Sequence, residues 1–337
     1  MENRAVLKVE NLKMHYKTKR GYVKAVDGIS FELKEGESLG IVGESGCGKT
    51  SVSMTILRLL PENAEFKGGH IYFDDGSGPI DLVSLPEDEM RKYRWKGISM
   101  IFQAAMNSLN PVYKVGDQII EAIQNHYPDV SIDDAKKKVA ELFELVGLDP
   151  KRMEQYPHQY SGGMKQRAII AMALSCDPKV IIADEPTTAL DVIVQDRILK
   201  EMKKIQQKLN MAMIYISHDI AVIAEVSDKI AVMYAGKFVE FADSVTIFKR
   251  PAHPYTYGLM HAFPSVVGPK TELTTIPGEP PNLLDPPKGC RFAPRCPLAT
   301  KECWEKEPEY REIEPGHWIA CHHPLKAGEV VKFDEQK

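Results

Sequence analysis

Short apolar runs alternate with segments of helical periodicity along most of the chain. Four of these runs have the length of a β-strand and are predicted to be strands, namely residues 38–42, 98–102, 180–185 and 213–217. Residues 50–60 and 164–175 have the pattern of helices, and the first of these is expected to end at Pro61. The alternation predicts an α/β core with a mostly parallel sheet.

The segment between Gln103 and Ser161 has a different pattern. Residues 131–134 read Ser-Ile-Asp-Asp and are similar to a capping box, which is a common start of a helix. Four apolar residues then fall on one helical face, namely Val139, Leu142, Phe143 and Val146. This pattern ends near Gly147, so we expect a helical subdomain, about residues 104–164, inserted into the α/β core.

The composition changes after about residue 250. Nine prolines lie between residues 251 and 287, which excludes long regular helices apart from a short piece near residues 255–262. A chain of 337 residues has the length of about two domains. We expect the first domain to span residues 1–255 and a small Cys- and Pro-rich C-terminal domain to span residues 256–337.

The charge balance and the hydropathy exclude several classes of protein. The chain has 43 Lys and Arg against 47 Asp and Glu, a net charge of −4, so there is no basic excess that would indicate binding to nucleic acid. No apolar run approaches the roughly 18 residues of a membrane-spanning helix. Residues 1–4 are not followed by a secretory apolar stretch. The sequence therefore predicts a soluble, cytoplasmic chain, and any membrane pore must come from other chains.

Residues 43–50 form a phosphate-loop motif, Gly-Glu-Ser-Gly-Cys-Gly-Lys-Thr, between a predicted strand and a predicted helix. Its glycines allow the backbone to turn N–H groups toward phosphate oxygens at a helix N-terminus. Lys49 supplies a positive charge for the β and γ phosphates, and the Thr50 hydroxyl is placed to ligate Mg²⁺. The expected ATP-binding residues of this segment are Gly43, Ser45, Gly46, Cys47, Gly48, Lys49, Thr50 and Ser51.

A second motif, residues 161–166, reads Ser-Gly-Gly-Met-Lys-Gln and precedes a predicted helix. Two glycines after a serine are poor helix formers unless Ser161 is the N-cap and the free backbone donors face an anion. A phosphate loop alone is shared by many unrelated proteins. Together the two motifs resemble an ATP-binding-cassette (ABC) ATPase.

This resemblance implies chemical roles at four further positions. Gln103 resembles the loop glutamine that approaches Mg²⁺ and the attacking water. Asp184 and Glu185 are similar to the metal-coordinating carboxylate and to the general base that polarises that water. His218 resembles the switch histidine of the family. The implied catalytic residues are Glu185, His218 and Gln103, and the implied Mg²⁺ ligands are Thr50, Gln103 and Asp184.

The resemblance also implies a dimer. In this family the signature motif contacts the γ-phosphate held by the other subunit, so hydrolysis requires two cassettes clamped head to tail around ATP. The implied contact residues are Ser161, Gly162 and Gly163. Asp191 resembles the residue that communicates across the dimer. Tyr16 is expected to stack on adenine, with Tyr22 as a nearby competitor for that role.

Residues 250–256, Arg-Pro-Ala-His-Pro-Tyr-Thr, resemble the tail of the oligopeptide and dipeptide importer ATPases. The implied function is an ATP-hydrolysing subunit on the inner face of a cell membrane. The implied partners are a second cassette chain, identical or paralogous, two transmembrane permease subunits and an external substrate-binding protein. One permease helix would enter a groove beside the helical subdomain. Peptides are the favoured cargo, although relatives with this layout also serve nickel or oligosaccharide importers.

The alternative function is a soluble ABC ATPase acting in translation or DNA repair. The translation type usually has two cassettes in one chain, and the repair type separates its phosphate loop from its signature by a long coiled coil. Here there is one cassette, and Gly43 and Ser161 lie only 118 positions apart. The importer is therefore the favoured function.

Four of the six cysteines lie in the tail as Cys290-x5-Cys296-x6-Cys303-x17-Cys321. Disulfides are disfavoured in a reducing cytosol, so we expect a thiolate-bound metal centre. The spacing does not choose between zinc and iron–sulfur, and His322 is a possible zinc ligand, as is His323. Resemblance to the dipeptide-importer ATPases implies a [4Fe–4S] cluster that orders the tail and takes no part in hydrolysis.

Overall fold

The computed structural model describes residues 4–103, 105–188, 190–262 and 275–333. The strands in these ranges are β1 (Ala5–Thr18), β2 (Gly21–Lys34), β3 (Ser38–Val42), β4 (Ala64–Phe73), β5 (Ile80–Asp81), β6 (Ile98–Ile101), β7 (Val180–Asp184), β8 (Ala212–Ser217), β9 (Lys229–Tyr234), β10 (Lys237–Asp243), β11 (Tyr310–Glu314) and β12 (His317–Ala320). The α-helices are α1 (Lys49–Ile56), α2 (Glu87–Tyr93), α3 (Val115–His126), α4 (Ile132–Leu145), α5 (Gly162–Leu174), α6 (Val192–Leu209), α7 (Ile220–Val226), α8 (Ser244–Lys249), α9 (Pro254–His261) and α10 (Lys301–Glu305).

Contacts between Cα atoms divide the chain into two units. Unit 1 contains Met1–Lys8, Glu32–Ser38 and Ile71–Tyr215. Unit 2 contains Val9–Phe31, Leu39–His70 and Ile216–Lys337. The division expected at residue 255 stays a prediction, as does the subdomain boundary near residue 104, which lies outside the described residues.

In unit 1, parallel strands carry the predicted core. Strands β6 and β7 pair in parallel, with Ile98 opposite Val180 and Ile101 opposite Ala183, and β8 follows β7 in the sheet. Every residue of β7 is buried. The predicted strands of this unit are therefore confirmed, and Glu185 follows directly at the carboxyl end of a buried strand, where ligands bind in open α/β sheets.

Helices α3, α4 and α5 pack against one another in unit 1. Helix α4 begins as predicted, because the Ser131 side chain accepts a hydrogen bond from the Asp134 N–H at 3.1 Å. Its buried face consists of Ala135, Val139, Leu142 and Phe143. The periodicity of the sequence thus identified both the start of this helix and its inward face.

In unit 2 the sheet is mixed. Strands β3 and β9 pair in parallel, whereas β9, β10, β12 and β11 pair in succession as antiparallel strands. The Pro-rich tail therefore contributes two strands that the sequence analysis did not predict. Helix α1 also ends at Ile56, earlier than residue 60, because Arg58 takes a left-handed backbone conformation with φ of 53°.

A second sheet has the order β2-β1-β4-β5, and β5 pairs with the end of β4 in antiparallel fashion. These strands were not predicted from the sequence. Among the described residues, none of the helices combines the length and the apolar character needed to cross a bilayer.

A buried carboxylate joins the tail to strand β10. Glu240 is 0% exposed, and its Oε1 accepts hydrogen bonds from the Ala252 N–H at 2.7 Å and from His317 Nε2 at 2.7 Å. Its Oε2 accepts a hydrogen bond from the His253 N–H at 2.9 Å. One side chain therefore fixes β10, the segment before α9 and the start of β12.

Replacing Glu240 with alanine is expected to lower the free energy of unfolding by about 3–5 kcal/mol, because buried donors lose their acceptor. Urea denaturation at neutral pH measures this loss. The matched control is Glu314→Ala, which removes an exposed carboxylate 3.1 Å from Arg250 and should change the free energy by less than about 1 kcal/mol. Equal losses in the two variants would show that the buried hydrogen bonds of Glu240 stabilise the fold no more than an exposed ion pair does.

Candidate nucleotide site and four-cysteine site

The loop between β3 and α1 passes very close to two neighbouring strands. A Cβ added to Gly43 would lie 2.1 Å from the Met233 carbonyl oxygen, and one added to Gly48 would lie 2.1 Å from that of Ala25. The backbone φ angles of Gly43, Gly46 and Gly48 are 154°, 78° and 110°. Residues other than glycine rarely adopt such angles. At Gly46 the added atom would meet nothing within 4 Å. Two glycines are thus required for space, and the third only for its backbone angle.

Lys49 lies inside this loop. It is 7% exposed, and its Nζ donates to the carbonyl oxygens of Gly43 at 2.7 Å and Glu44 at 3.0 Å. Ser45, Gly46 and Thr50 are exposed. The loop therefore exposes hydroxyl and backbone amide groups to solvent, and a positive charge lies beneath them. This arrangement can bind an anion.

Cys47 and Ser51 complete the predicted loop residues. Cys47 is buried, its carbonyl oxygen accepts a hydrogen bond from the Gly236 N–H at 2.8 Å, and burial raises the pKa of its thiol. Ser51 Oγ lies 3.1 Å from the Tyr16 hydroxyl. Cys47 thus contributes its backbone rather than a reactive thiolate.

The two candidate aromatic residues differ in their surroundings. Tyr16 is tied to the first turn of α1 through Ser51. Tyr22 donates its hydroxyl to Glu65 at 3.0 Å, and the Lys67 Nζ lies 3.9 Å from the centroid of its ring. One face of the Tyr22 ring is therefore covered by an ammonium group, which favours Tyr16 as the residue beside the loop.

A carboxylate pair ends strand β7. Asp184 is 1% exposed. Glu185 has a φ of 46°, and for a residue with a side chain this left-handed conformation costs about 1–2 kcal/mol. Its Oε2 accepts hydrogen bonds from Gln103 Nε2 at 2.8 Å and from Thr188 Oγ1 at 3.1 Å. Unit 1 therefore brings two sequence-predicted residues, Gln103 and Glu185, into direct contact.

Ser161 caps helix α5 as predicted. Its Oγ accepts a hydrogen bond from the Met164 N–H at 3.4 Å, and its φ and ψ are extended. Ser161 and Gly162 are exposed, whereas most of the helix beyond them is buried. The free N–H groups of this 13-residue helix are therefore accessible at the surface.

Asp191 caps the neighbouring helix α6, and its Oδ1 accepts a hydrogen bond from the Val194 N–H at 3.0 Å. Val194 also reaches the signature, because a Cβ on Gly163 would lie 3.1 Å from its Cγ1. Val192 and Ile193 are 81% and 82% exposed. Exposed apolar side chains that adjoin in this way are typical of a surface that binds another protein.

His218 follows strand β8 and is exposed. It belongs to unit 2, together with Tyr16 and the phosphate loop, whereas unit 1 holds the other predicted catalytic residues.

The four tail cysteines line one cavity of about 10 Å³, together with His253, Phe292, His322 and His323. The Cys290 N–H donates to the Cys303 carbonyl oxygen at 2.7 Å. Thr300 Oγ1 lies 3.5 Å from Cys303 Sγ and 2.9 Å from His323 Nε2. Cysteines far apart in sequence thus meet at one place, and those in the described part of the chain are free thiols.

Burial raises the pKa of Cys296 and Cys321 to about 12, and the neighbouring thiols add to this rise. The sulfurs of Cys296 and Cys321 are therefore neutral until a cation neutralises the charge of their thiolates. Within the described ranges, no group of three or more His, Cys, Asp or Glu side chains has the arrangement of a preformed metal site. The shared cavity is thus the structural observation that supports the expected iron–sulfur centre. The described side chains do not form a set of ligands that is already in place.

Two arginines of the tail have contacts that the sequence did not predict. The Arg291 guanidinium donates to the Asp27 carboxylate and to the Ala235 carbonyl oxygen, and Arg295 forms an ion pair with Glu44 of the phosphate loop. Both arginines lie beside a cysteine in the segment Cys290-Arg291-Phe292-Ala293-Pro294-Arg295-Cys296. Two cations within a short segment that also contains apolar residues are the signal that could have identified them.

Two parts of the chain match known protein families. Residues 26–188 match the ABC transporter family, and residues 239–303 match the family described as oligopeptide/dipeptide transporter, C-terminal region. The oligopeptide transport ATP-binding protein OppD of Bacillus subtilis is 48% identical, over 98% of this chain and 94% of its own. The dipeptide transport ATP-binding protein DppD of Lactococcus lactis is 44% identical, over 94% and 90%.

Solved structures show the same fold for the cassette. The ATP-binding cassette MJ0796, in a dimeric post-hydrolysis state bound to ADP and Pi, superposes with a TM-score of 0.62 and 28% identity. The match covers 71% of this chain and 98% of that one.

The close approach of the phosphate loop predicts different costs for two glycines. Gly48→Ala should lower the free energy of unfolding by about 3 kcal/mol or more, since it adds a steric collision to an unfavourable φ. Gly46→Ala should cost only about 1 kcal/mol, because its added atom has open space. Urea denaturation of nucleotide-free protein compares the two, and equal losses would show that the loop does not approach its neighbours so closely.

Proposed function

The chain belongs to the ABC transporter family, and from this premise we propose that it is the ATP-hydrolysing subunit of a membrane importer for oligopeptides or dipeptides. The observation that carries the enzymatic part is the hydrogen bond from Gln103 to Glu185 at the end of β7. It joins a polar amide to a carboxylate beside a buried second carboxylate, Asp184. This set of groups can orient a water molecule and accept its proton.

We assign ATP binding to the phosphate loop. Backbone N–H groups of the loop and the Lys49 ammonium bind the phosphates, and Tyr16 stacks on adenine. Thr50, Gln103 and Asp184 supply hydroxyl, amide and carboxylate oxygens, which are the ligand types that Mg²⁺ prefers. When bound, Mg²⁺ neutralises charge that develops on the phosphates.

Glu185 is the proposed general base. Its Oε2 already accepts hydrogen bonds from Gln103 and Thr188, and these hydrogen bonds orient the carboxylate. It takes the proton of the water that attacks the γ-phosphate, while Gln103 holds that water. His218 is the proposed switch residue that contacts the γ-phosphate.

A second cassette, identical or paralogous, completes the site. Ser161, Gly162 and Gly163 present free helix N–H groups to the γ-phosphate bound by that partner, and Asp191 links the two sites. The exposed pair Val192 and Ile193 supports a protein contact next to this surface. The dimeric state of the MJ0796 structure supports the same arrangement.

The permease subunits are proposed to dock in unit 1. A groove of about 760 Å³ has a lining that includes Trp95, Phe102, Tyr113 and Met172, and Phe102 directly precedes Gln103 in the chain. Phe102 and Tyr113 are exposed, so the groove offers apolar contacts to a short helix from a membrane subunit. Docking there would hold the protein at the inner face of the membrane, close to the residue that orients water.

Peptide cargo follows from the relatives, whose names describe oligopeptide and dipeptide transport. An external binding protein would deliver that cargo to the permeases. The alternative, a soluble ABC ATPase in translation or DNA repair, is not favoured, since the C-terminal match is to a transporter family.

For the tail, residues 256–337, we propose one [4Fe–4S] cluster held by Cys290, Cys296, Cys303 and Cys321. The four cysteines line one cavity, and four cysteine thiolates are the ligand set that such a cluster takes. A bound cluster would staple together a segment that buries little apolar surface. Zinc bound by cysteines together with His322 or His323 is the alternative centre.

Glu185→Gln is expected to retain ATP binding and to lower the rate of hydrolysis on the order of 10²–10⁴-fold, because the amide cannot accept the proton of the attacking water. Phosphate release measures hydrolysis, and equilibrium binding measures the Kd for ATP. Glu89→Gln, which removes a surface ion pair with Lys92, serves as the control and should leave the rate unchanged. Hydrolysis at the normal rate in Glu185→Gln would show that Glu185 is not the general base.

Anaerobically purified protein is expected to be brown and to contain about four irons per chain. Cys303→Ser should lose the iron and the protease resistance of the tail while ATP still binds, whereas Cys176→Ser, at a buried cysteine outside the tail, should keep the iron. Metal analysis and limited proteolysis measure both effects. Stoichiometric zinc without iron would refute the cluster, and free thiols without metal would refute any metal centre.

A further inference from the structure

The phosphate loop contains an acidic residue, Glu44, immediately after its first glycine. The loop is proposed to bind the polyanionic phosphates of ATP. A carboxylate so close to bound phosphates repels them unless a cation neutralises it. The Glu44 side chain is 26% exposed, so water screens its charge only in part.

The tail supplies that cation. Arg295 Nη1 donates to Glu44 Oε2 at 2.7 Å, and Arg295 Nη2 donates to Glu44 Oε1 at 2.9 Å. This is the two-pronged geometry in which arginine binds a carboxylate most strongly. The Arg295 side chain is 5% exposed, which strengthens the pair relative to one in water.

Other contacts fix the position of this guanidinium. Its Nε donates to the Pro277 carbonyl oxygen at 2.9 Å, and its Nη1 lies 3.3 Å from the Tyr234 hydroxyl. Arg295 ends a short 3-10 helix, Ala293–Arg295, and the next residue is Cys296. The cation is therefore part of the segment that carries two of the four cysteines.

The backbone of Glu44 is also held. Its N–H donates to the Tyr255 hydroxyl at 3.0 Å. The Tyr255 ring packs against Phe292, with 5.4 Å between the centroids, and Phe292 belongs to the same cysteine-bearing segment as Arg295. The main chain and the side chain of Glu44 are thus both linked to the tail.

We propose that Arg295 is a positioning residue for the phosphate loop, and that it neutralises and fixes Glu44 so that the cysteine tail sets the affinity of the loop for ATP. The proposal rests on the function proposed above for this loop. It concerns binding alone, since the hydrogen-bond partners of Arg295 among the described residues do not include the groups proposed for the chemical step. Loss of Arg295 should therefore raise the Kd for ATP and leave kcat at saturating ATP unchanged.

The test is a double-mutant cycle on the full chain, purified with its metal content retained. Arg295→Met should raise the Kd for ATP about tenfold, because it leaves an unpaired carboxylate in the loop. Glu44→Gln alone should not raise the Kd, because the loop then contains no carboxylate that repels the phosphates. The double variant Arg295→Met/Glu44→Gln should recover the affinity of the original protein, since it contains no unpaired carboxylate.

Two further variants complete the experiment. Arg250→Met removes an exposed partner of Glu314 in the same unit and should leave the Kd unchanged. Arg295→Lys keeps the charge but cannot form both hydrogen bonds, so the Kd should rise about threefold and return when Glu44→Gln is added. This variant replaces Arg295→Met in the cycle if the methionine variant does not fold.

Each result decides the proposal. An unchanged Kd in Arg295→Met, or a raised Kd that Glu44→Gln does not restore, would overturn it and leave Arg295 with a packing role only. A fall in kcat in place of a rise in Kd would also overturn it. If the original protein binds no ATP at all, the function proposed for the loop fails instead, which is a separate outcome.

Discussion

The structure depends on how closely the phosphate-loop backbone approaches two strands. Gly43 lies against the carbonyl of Met233 in β9, and Gly48 lies against that of Ala25 in β2, with no space for a side chain at either place. Because β9 continues directly into β10, the same contact brings the loop next to the part of the sheet to which the tail attaches. The close packing of Gly43 and Gly48 therefore links the position of the phosphate loop to the C-terminal region of unit 2.

Buried polar groups are among the contacts that attach the tail. Glu240 receives donors from two segments of the tail region, and Arg291 and Arg295 reach carboxylates of the cassette. A chain segment with many prolines and few apolar residues can bury little surface. Hydrogen-bonded charges supply less net stability than an apolar core, but they permit only one geometry, because each displaced donor is left unsatisfied.

The sequence predicted those structural features that depend on residues close together along the chain. The buried strands β3 and β7, the apolar face of α4 and the Ser161 cap follow from local periodicity and capping chemistry. The tail strands were missed because they are short and their pairing partner, β10, is distant in sequence. Ion pairs such as Arg295 with Glu44, 251 positions apart, leave no local pattern. The contact between Gln103 and Glu185 was anticipated only through family resemblance, since 82 positions separate them.

The order of strands at the end of the sheet has a consequence for protein synthesis. Strand β10 is covered by β12, and β11 forms the outer edge with the charged residues Arg311, Glu312 and Glu314. Charged edges resist pairing with strands of other molecules. During translation, however, the mostly apolar β10 leaves the ribosome seconds before β12 is made. In that interval its backbone edge is open, so the nascent chain is most prone to aggregation just before its last strands are added.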